Sequence, residues 1–473
     1  MKKIVIVLTA VLVAASSCCK APKVESSVPY KVKNGTIVFK EQPRAAGQKS
    51  ALKMTCDPID TVRVGIVGCG SRGHCPLDMR FIPTARIVAF CDLYQDHVDK
   101  YQKTWAEWGF APVKEYVGPE AYKELCESDD VDLIYITTGW KLHTPIALYA
   151  MEHGKHVAIE VPAATSLQEC WDLVNTCERT RKHCMMLENC VYDKEELIIN
   201  NLINQGAFGE VYYGAGAYIH NLDVCWNQYT DNWRLEFNQE RRGDNYPTHG
   251  LGPICRDMNI HRGDKMNTLV AMDSNPFRSA EWGKKKMNVD EFADGDQTVT
   301  LIRTEKGHLI EVQHNVYGIT PYSRIHEVMG TKGSARKYPV FSLALEAENL
   351  PDKPVYKGAA GHGGYEESEE FSEADFKAAI REDFNHPIYS EVEELAQKVG
   401  GHGGMDFVML SRLIYCLNNG LPLDMDVYDA AEWSCVTELS EVSLNAGSMP
   451  VQVPDFTRGD WNKYDKIVFE YKK

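Results

Sequence analysis

The chain is 473 residues long, enough for about two domains of ordinary size. With 44% hydrophobic and 25% charged residues it is a folding sequence, not a disordered one. A formal charge of −16 argues against a phosphate-reading surface. The one basic run, Lys284-Lys285-Lys286, reads as a solvated face, so no nucleic-acid partner is expected.

In chain order, Lys2 and Lys3 precede an apolar run from Ile4 to Ala15 and the small residues Ser16 and Ser17. A basic start, a short apolar core and small residues before a cut make an export signal, and the run is too short to span a membrane. Small residues directly before Cys18 resemble a bacterial lipoprotein signal, although Ala15 stands where such signals carry Leu. That likeness implies lipidation of Cys18 and contact with a membrane only through the lipid. Residues 1–18 are therefore read as a signal and residues 19–58, rich in Lys, Pro and Ser, as a tether.

Val62 to Val67 is a short β-branched run, followed by Gly68-Cys69-Gly70-Ser71-Arg72-Gly73. In a G-x-G-x-x-G turn the first Gly permits the tight bend, the second admits a pyrophosphate, and the third lets helix and strand pack closely. The helix that follows is expected to turn its N-terminus toward the phosphates. "ARIVAFCD" is a second strand ending at Asp92, whose carboxylate would accept ribose hydroxyls and repel a 2′-phosphate, favouring NAD over NADP. "VDLIYITT" (131–138) and "HVAIEV" (156–161) are further strands, with helices over 94–108 and 145–153 between them. Alternating strands and helices predict an α/β, doubly wound parallel Rossmann sheet over residues 59–190.

Fifteen cysteines, an odd number with no Cys-x-x-Cys pair, give neither a disulfide scaffold nor zinc spacing, and no metal is expected. Cys170, Cys177 and Cys184, spaced by seven, read as small buried hydrophobes.

The fingerprint, Asp92, "TTGWKLHTPIALYAMEHGKHVAIEVP" and "GAFGEV" together resemble the Gfo/Idh/MocA oxidoreductase family, over roughly residues 60–345. The resemblance implies that Trp140, Lys141, Leu142 and His143, with Glu160 and Val161, lie along the nicotinamide half of the cofactor. It also implies an α+β second domain over 191–473, built on a large, mostly antiparallel open sheet. The helices 405–418 and 428–444 are expected to pack back on the first domain. Sheet faces in this family often pair, which leaves room for a homo-oligomer.

One departure is informative. Ordinary dehydrogenases of the family read Glu-Lys-Pro where this chain reads Glu160-Val161-Pro162, and a valine has no donor to offer a reacting oxygen. Instead, "RRGDNYPTHGLGPICRDMNIHRGD" (241–264), "MMLENCVYD", "PYSR" and "GHGGMDF" resemble one branch, glycoside hydrolase family 109. The branch implies cleavage of terminal α-N-acetylgalactosamine from glycans with NAD retained. The sugar is oxidised at C3, loses its C2 proton, eliminates the aglycone, adds water and is reduced again. The resemblance implies Asn189 at the cofactor, Tyr192 close to the sugar, and Tyr218, Arg234, Tyr246, Pro247, Thr248, His249 and Tyr322 against the substrate. His249 is the acid–base candidate, since imidazole titrates near neutrality; Tyr246, three residues earlier, would face the same way if "YPTHGL" opens a helix. His402 and the second "GHGG" at 361–364 read as tight loops, with His402 able to reach the pocket or a subunit contact.

Export supplies an argument of its own. Outside the cytoplasm no nicotinamide pool is maintained, so a cycle that reduces and reoxidises one bound molecule is favoured over a simple dehydrogenase. The rival readings are an exported sugar oxidoreductase with tightly bound NAD(P) and a non-catalytic sugar-binding lipoprotein.

Overall fold

The computed structural model describes residues 25–289, 291–345 and 384–471; Cys18 and the loop 361–364 lie outside them. The described chain opens on a hairpin. Strands β1 (Tyr30–Lys33) and β2 (Thr36–Phe39) pair antiparallel around Asn34-Gly35, both at positive φ. Asn-Gly is the residue pair a two-residue hairpin turn demands. β2 then joins a large sheet through Ile37, beyond which Arg44 binds Glu178 at 3.1 Å and Asp460 at 3.0 Å. The expectation of a tether over 19–58 is thus corrected: from residue 25 onward this segment is part of the fold. Its polar composition concealed a turn signal flanked by the alternating strand "TIVF".

The next six strands are β3 (Val62–Val67), β4 (Ala85–Asp92), β5 (Lys114–Val117), β6 (Leu133–Ile136), β7 (His156–Ile159) and β8 (Cys184–Met186). They form one sheet in the order β5-β4-β3-β6-β7-β8, with every pairing parallel. That is the doubly wound Rossmann order. Ile66, Phe90, Ile134 and Val157 are fully buried, because helices cover both faces of such a sheet.

Strands β9 (Val211–Ile219), β10 (Met266–Asp273), β11 (Thr298–Thr304), β12 (Leu309–Asn315), β13 (Glu327–Gly330), β14 (Gly333–Arg336), β15 (Ser342–Leu345) and β16 (Val451–Gln452) complete a ten-stranded sheet with the hairpin. It is mostly antiparallel; β9 with β12 and β2 with β16 are its parallel pairs. The helix Thr248–Asp257 lies directly on β9. At Gly216 an added Cβ would stand 2.0 Å from the Gly250 carbonyl oxygen, so strand and helix backbones touch there. The helix Val427–Asn445, buried nearly all round, contacts the helix Leu167–Thr180, β8 and β10, and so joins the two sheets.

Candidate active site

The cofactor crevice lies at the carboxyl ends of β3, β4 and β6. Gly68 has φ +104°, and a Cβ there would strike the Thr137 carbonyl at 2.7 Å. A Cβ at Gly73 would strike Gly68 O at the same distance, whereas one at Gly70 would meet nothing within 4 Å. The middle glycine therefore faces the open space a pyrophosphate needs, and the crevice fits a dinucleotide. Ser71 is exposed beside it. The helix after the turn is a single turn, His74–Leu77, with Pro76 inside it. It offers far less dipole than the long helix expected from the motif. The backbone of the turn is held from another side: Asp92 accepts from Cys69 N at 2.6 Å and from Tyr94 N at 3.0 Å.

Beside the crevice, Arg72 Nε donates to Glu160 Oε1 at 3.0 Å, and both its terminal nitrogens donate to Asp406 at 3.3 Å. Burial raises the Glu160 carboxyl above its ordinary range although Arg72 opposes it. At Asp406 burial also pushes upward, but the His402 hydrogen bond and the Arg72 charge win and hold it well below the usual range. His402 Nδ1 donates to Asp406 Oδ2 at 2.8 Å, and Asn189 Nδ2 donates to Asp406 Oδ1 at 2.7 Å. Asn189 thus reaches the crevice by bracing the carboxylate that holds Arg72.

The substrate side is assembled by the helix Thr248–Asp257. Its first turn presents His249, whose Nδ1–H donates to Glu188 Oε1 at 2.7 Å and lies 2.9 Å from Oε2. Tyr246 Oη is 3.5 Å from His249 Nε2. Glu188 is completely buried; burial pushes its carboxyl up, yet the charge and hydrogen bond of His249 bring it below its ordinary value. Around the pair, the Tyr218 ring lies 4.5 Å from that of Tyr246 and edge-on to His249 at 5.5 Å. Trp140 stacks on Tyr246 at 5.6 Å. Arg234, buried, stands over Tyr246, Trp140 and Tyr229 at 4.7–5.2 Å and donates to Tyr229 Oη. Its hydrogen bonds and ion pairs among the described residues include no carboxylate. Burial, with this nearby charge, pushes His220 down to about 4 and His314 down to about 3, so both are neutral at neutral pH. Tyr322, part-exposed, meets His220 edge-on at 5.1 Å and accepts from Arg324.

Several expected residues stand elsewhere. The Tyr192 ring is fully buried and its hydroxyl donates to Asp424 at 3.1 Å, which removes it from the proposed chemistry. The short turn Asn189–Tyr192 points its last residue into the core beside Phe469. His143 is also buried, its ring nitrogens meeting the carbonyls of Pro162 and Thr138 at 2.7 and 2.9 Å. It braces the turn before the cofactor and offers the cofactor no donor. Lys141 pairs with Glu240 and Leu142 is exposed. Val161 is buried as part of the wall, and Pro247 and Thr248 are buried under the His249 turn.

Two partners were not foreseen: Glu188, which the motif "LEN" carried unremarked, and Asp406. Glu188 follows the carboxyl end of β8, the position where doubly wound sheets gather functional groups, and that was the available signal. Glu188, Cys190 and His249 also bring three ligand atoms within 4.8 Å of one another, a donor set of zinc type that spacing alone did not reveal.

Two family models match the chain. One, "Glycosyl hydrolase 109, C-terminal domain", covers residues 192–463; the other, "Oxidoreductase family, NAD-binding Rossmann fold", covers residues 62–188. Glycosyl hydrolase family 109 protein 1 of Bacteroides thetaiotaomicron is 50% identical over 439 residues, 92% of either chain. A family 109 protein of Porphyromonas gingivalis is 50% identical over 427 residues, 89% of this chain and 90% of its own. Among solved structures, levoglucosan dehydrogenase with NADH and L-sorbose matches 84% of this chain and 100% of its own at TM-score 0.61 and 16% identity. An NAD-binding oxidoreductase from Klebsiella pneumoniae gives 0.60 and 19% over the same shares. At such identities the structural likeness speaks for the fold alone.

Proposed function

The chain belongs to glycosyl hydrolase family 109 and carries an NAD-binding Rossmann domain, and from that premise we propose that it hydrolyses terminal α-N-acetylgalactosaminyl residues by a cycle without net redox change. NAD, when bound, supplies a hydride acceptor for the sugar's C3 that later returns the same hydride.

The remaining work falls to the chain's own residues. Glu188, ionised, holds the Nδ1–H of His249, which leaves Nε2 as the basic lone pair on the pocket side, near Tyr246. That nitrogen takes the proton of the C3 hydroxyl and gives it back. Arg234, paired with tyrosines and no carboxylate among its contacts, stabilises negative charge developing on the sugar oxygens as the C2 proton leaves. Tyr218 and Tyr246 offer ring faces to the sugar's C–H groups. His402, oriented by Asp406 beside the crevice, handles the proton of the leaving group. Val161 forms a dry wall without a competing donor.

The observation that carries this reading is the His249–Glu188 pair, its carboxylate fully buried, set between an NAD-binding crevice and an aromatic pocket. Hydrolysis in heavy water with no added cofactor tests it. Deuterium is expected at C2 of the released N-acetylgalactosamine, together with slower turnover of substrate deuterated at C3. Product free of deuterium would refute the cycle.

Export, and lipidation at Cys18, are likewise proposed, on the basic start, the apolar run and the small residues before that cysteine. Metabolic labelling with a fatty acid, lost in Cys18→Ser, is the corresponding test.

A further inference from the structure

Tyr94 follows the carboxyl end of β4, and Gly139 with Trp140 follows that of β6. In the order β5-β4-β3-β6 these positions flank the fingerprint turn after β3 on its two sides. A dinucleotide lies in the crevice outside those strand ends. One short segment of the second half touches both flanks. Asp231 accepts from Tyr94 Oη at 2.6 Å. Two residues on, Trp233 covers Gly139, where an added Cβ would stand 3.3 Å from the indole, and meets Trp140 edge-on at 5.1 Å. At the end of the helix Trp233–Glu240, Glu240 pairs with Lys141 at 3.1 Å. Asp231 and Asn232 both have φ +55°, the bend that brings the chain down onto the crevice.

We propose that residues 230–240 form a strap across the bound dinucleotide that keeps it in place between turnovers, with Tyr94–Asp231 and Lys141–Glu240 as latches and Trp233 as anchor. The inference rests on the NAD-binding domain and not on the choice of glycan. The ribose side and the nicotinamide side are contacted by the same eleven-residue piece, so leaving the crevice requires that piece to lift. Both latches are solvent-exposed and each is individually weak, while Trp233 is half-buried. The strap also carries Arg234, so lifting it withdraws that guanidinium from the aromatic pocket. Cofactor release and dismantling of the substrate site are therefore the same motion. A protein working where no nicotinamide pool exists gains from that coupling.

The test is the release rate of NADH from the loaded full-length protein, followed by nicotinamide fluorescence during a chase with excess NAD+. Tyr94→Phe and Asp231→Ala are each expected to speed release roughly fivefold, the loss of one hydrogen bond, and the double variant no further. Trp233→Ala is expected to exceed both. Tyr94→Cys with Asp231→Cys, bridged by a disulfide-containing bismaleimide long enough to span the hydrogen-bonded tyrosine and aspartate they replace, is expected to slow release at least about tenfold, reversed by reductant. Tyr94 and Asp231 are exposed, so these variants keep the fold, which thermal unfolding checks. Wild-type release rates in both single variants and in the cross-linked protein would overturn the strap alone. A protein that takes up no NADH would overturn it together with its premise.

Discussion

His249 and His402 are each oriented by a carboxylate, and the two pairs are built to opposite designs. The His249 side chain is 14% exposed and its partner Glu188 not at all. It rides on a helix whose glycine backbone touches β9, so displacing it breaks the packing between helix and sheet. The His402 side chain is 57% exposed. Its loop runs through Gly400, Gly401, Gly403 and Gly404, all at positive φ, with His402 itself at +47°. Only its partner Asp406 is anchored, in the first turn of the helix Met405–Asn419. A base that must meet the same hydroxyl in every substrate gains from rigidity. A group that must follow leaving groups of different shape gains from a glycine mounting.

The largest effect expected from this contrast is at the rigid pair. His249→Ala should lower kcat by about 10³-fold on every glycoside, whatever its leaving group, as the loss of a general base does. Steady-state kinetics on one aryl and one natural substrate decides it; activity within tenfold of the parent would remove His249 from its role. Glu188→Gln should cost roughly 10²-fold, because the amide holds the imidazole without favouring its charged form. Its acid stability should change as well. The folded Glu188 carboxyl lies below its unfolded value, so its contribution is present above about pH 4.3 and is lost as pH falls through the lower folded value. Thermal unfolding between pH 6 and 3 should therefore fall less steeply in the variant.

The flexible pair should respond selectively. His402→Ala is expected to lose about 10²-fold on sugar or alkyl leaving groups and under tenfold on nitrophenyl ones, which depart without a proton. Equal losses on both would place His402 outside the leaving-group step. The smallest expected effect is one of stability beneath the rigid pair. Asp244, fully buried, accepts from Tyr246 N, and burial pushes its carboxyl up to about 7. A raised acid contributes stability that is present below the unfolded value near 3.9 and is lost as pH rises through about 7. Asp244→Asn should therefore gain roughly 1–3 kcal/mol at pH 8 and almost nothing at pH 4, read by urea unfolding. Identical curves at both pH values would count against it.

Legibility followed distance along the chain. The fingerprint, Asp92 and the β-branched runs stand close together, and local sterics make each motif nearly self-sufficient, so the Rossmann half could be read before any coordinates. Tyr246 and His249 were legible as neighbours because they stand three positions apart, although the helix begins only at Thr248 and leaves Tyr246 in the turn before it. Glu188 and His249 are 61 residues apart, and no local pattern announces that a carboxylate after β8 will meet the imidazole on the helix Thr248–Asp257. Tyr192 failed for the complementary reason: a tyrosine suits a sugar pocket and a core equally well, and here burial beside Asp424 took it.

By itself the sequence determined the parallel sheet, the glycine cradle and the nearness of Tyr246 to His249, since backbone conformation and side-chain periodicity act over a few residues. Tertiary structure alone decided which carboxylate orients which histidine, that Arg72 bridges Glu160 and Asp406, and that the segment after residue 25 becomes an edge of the large sheet. Those outcomes depend on how buried charges find partners once water is excluded, and that pairing is settled only when the two sheets pack together.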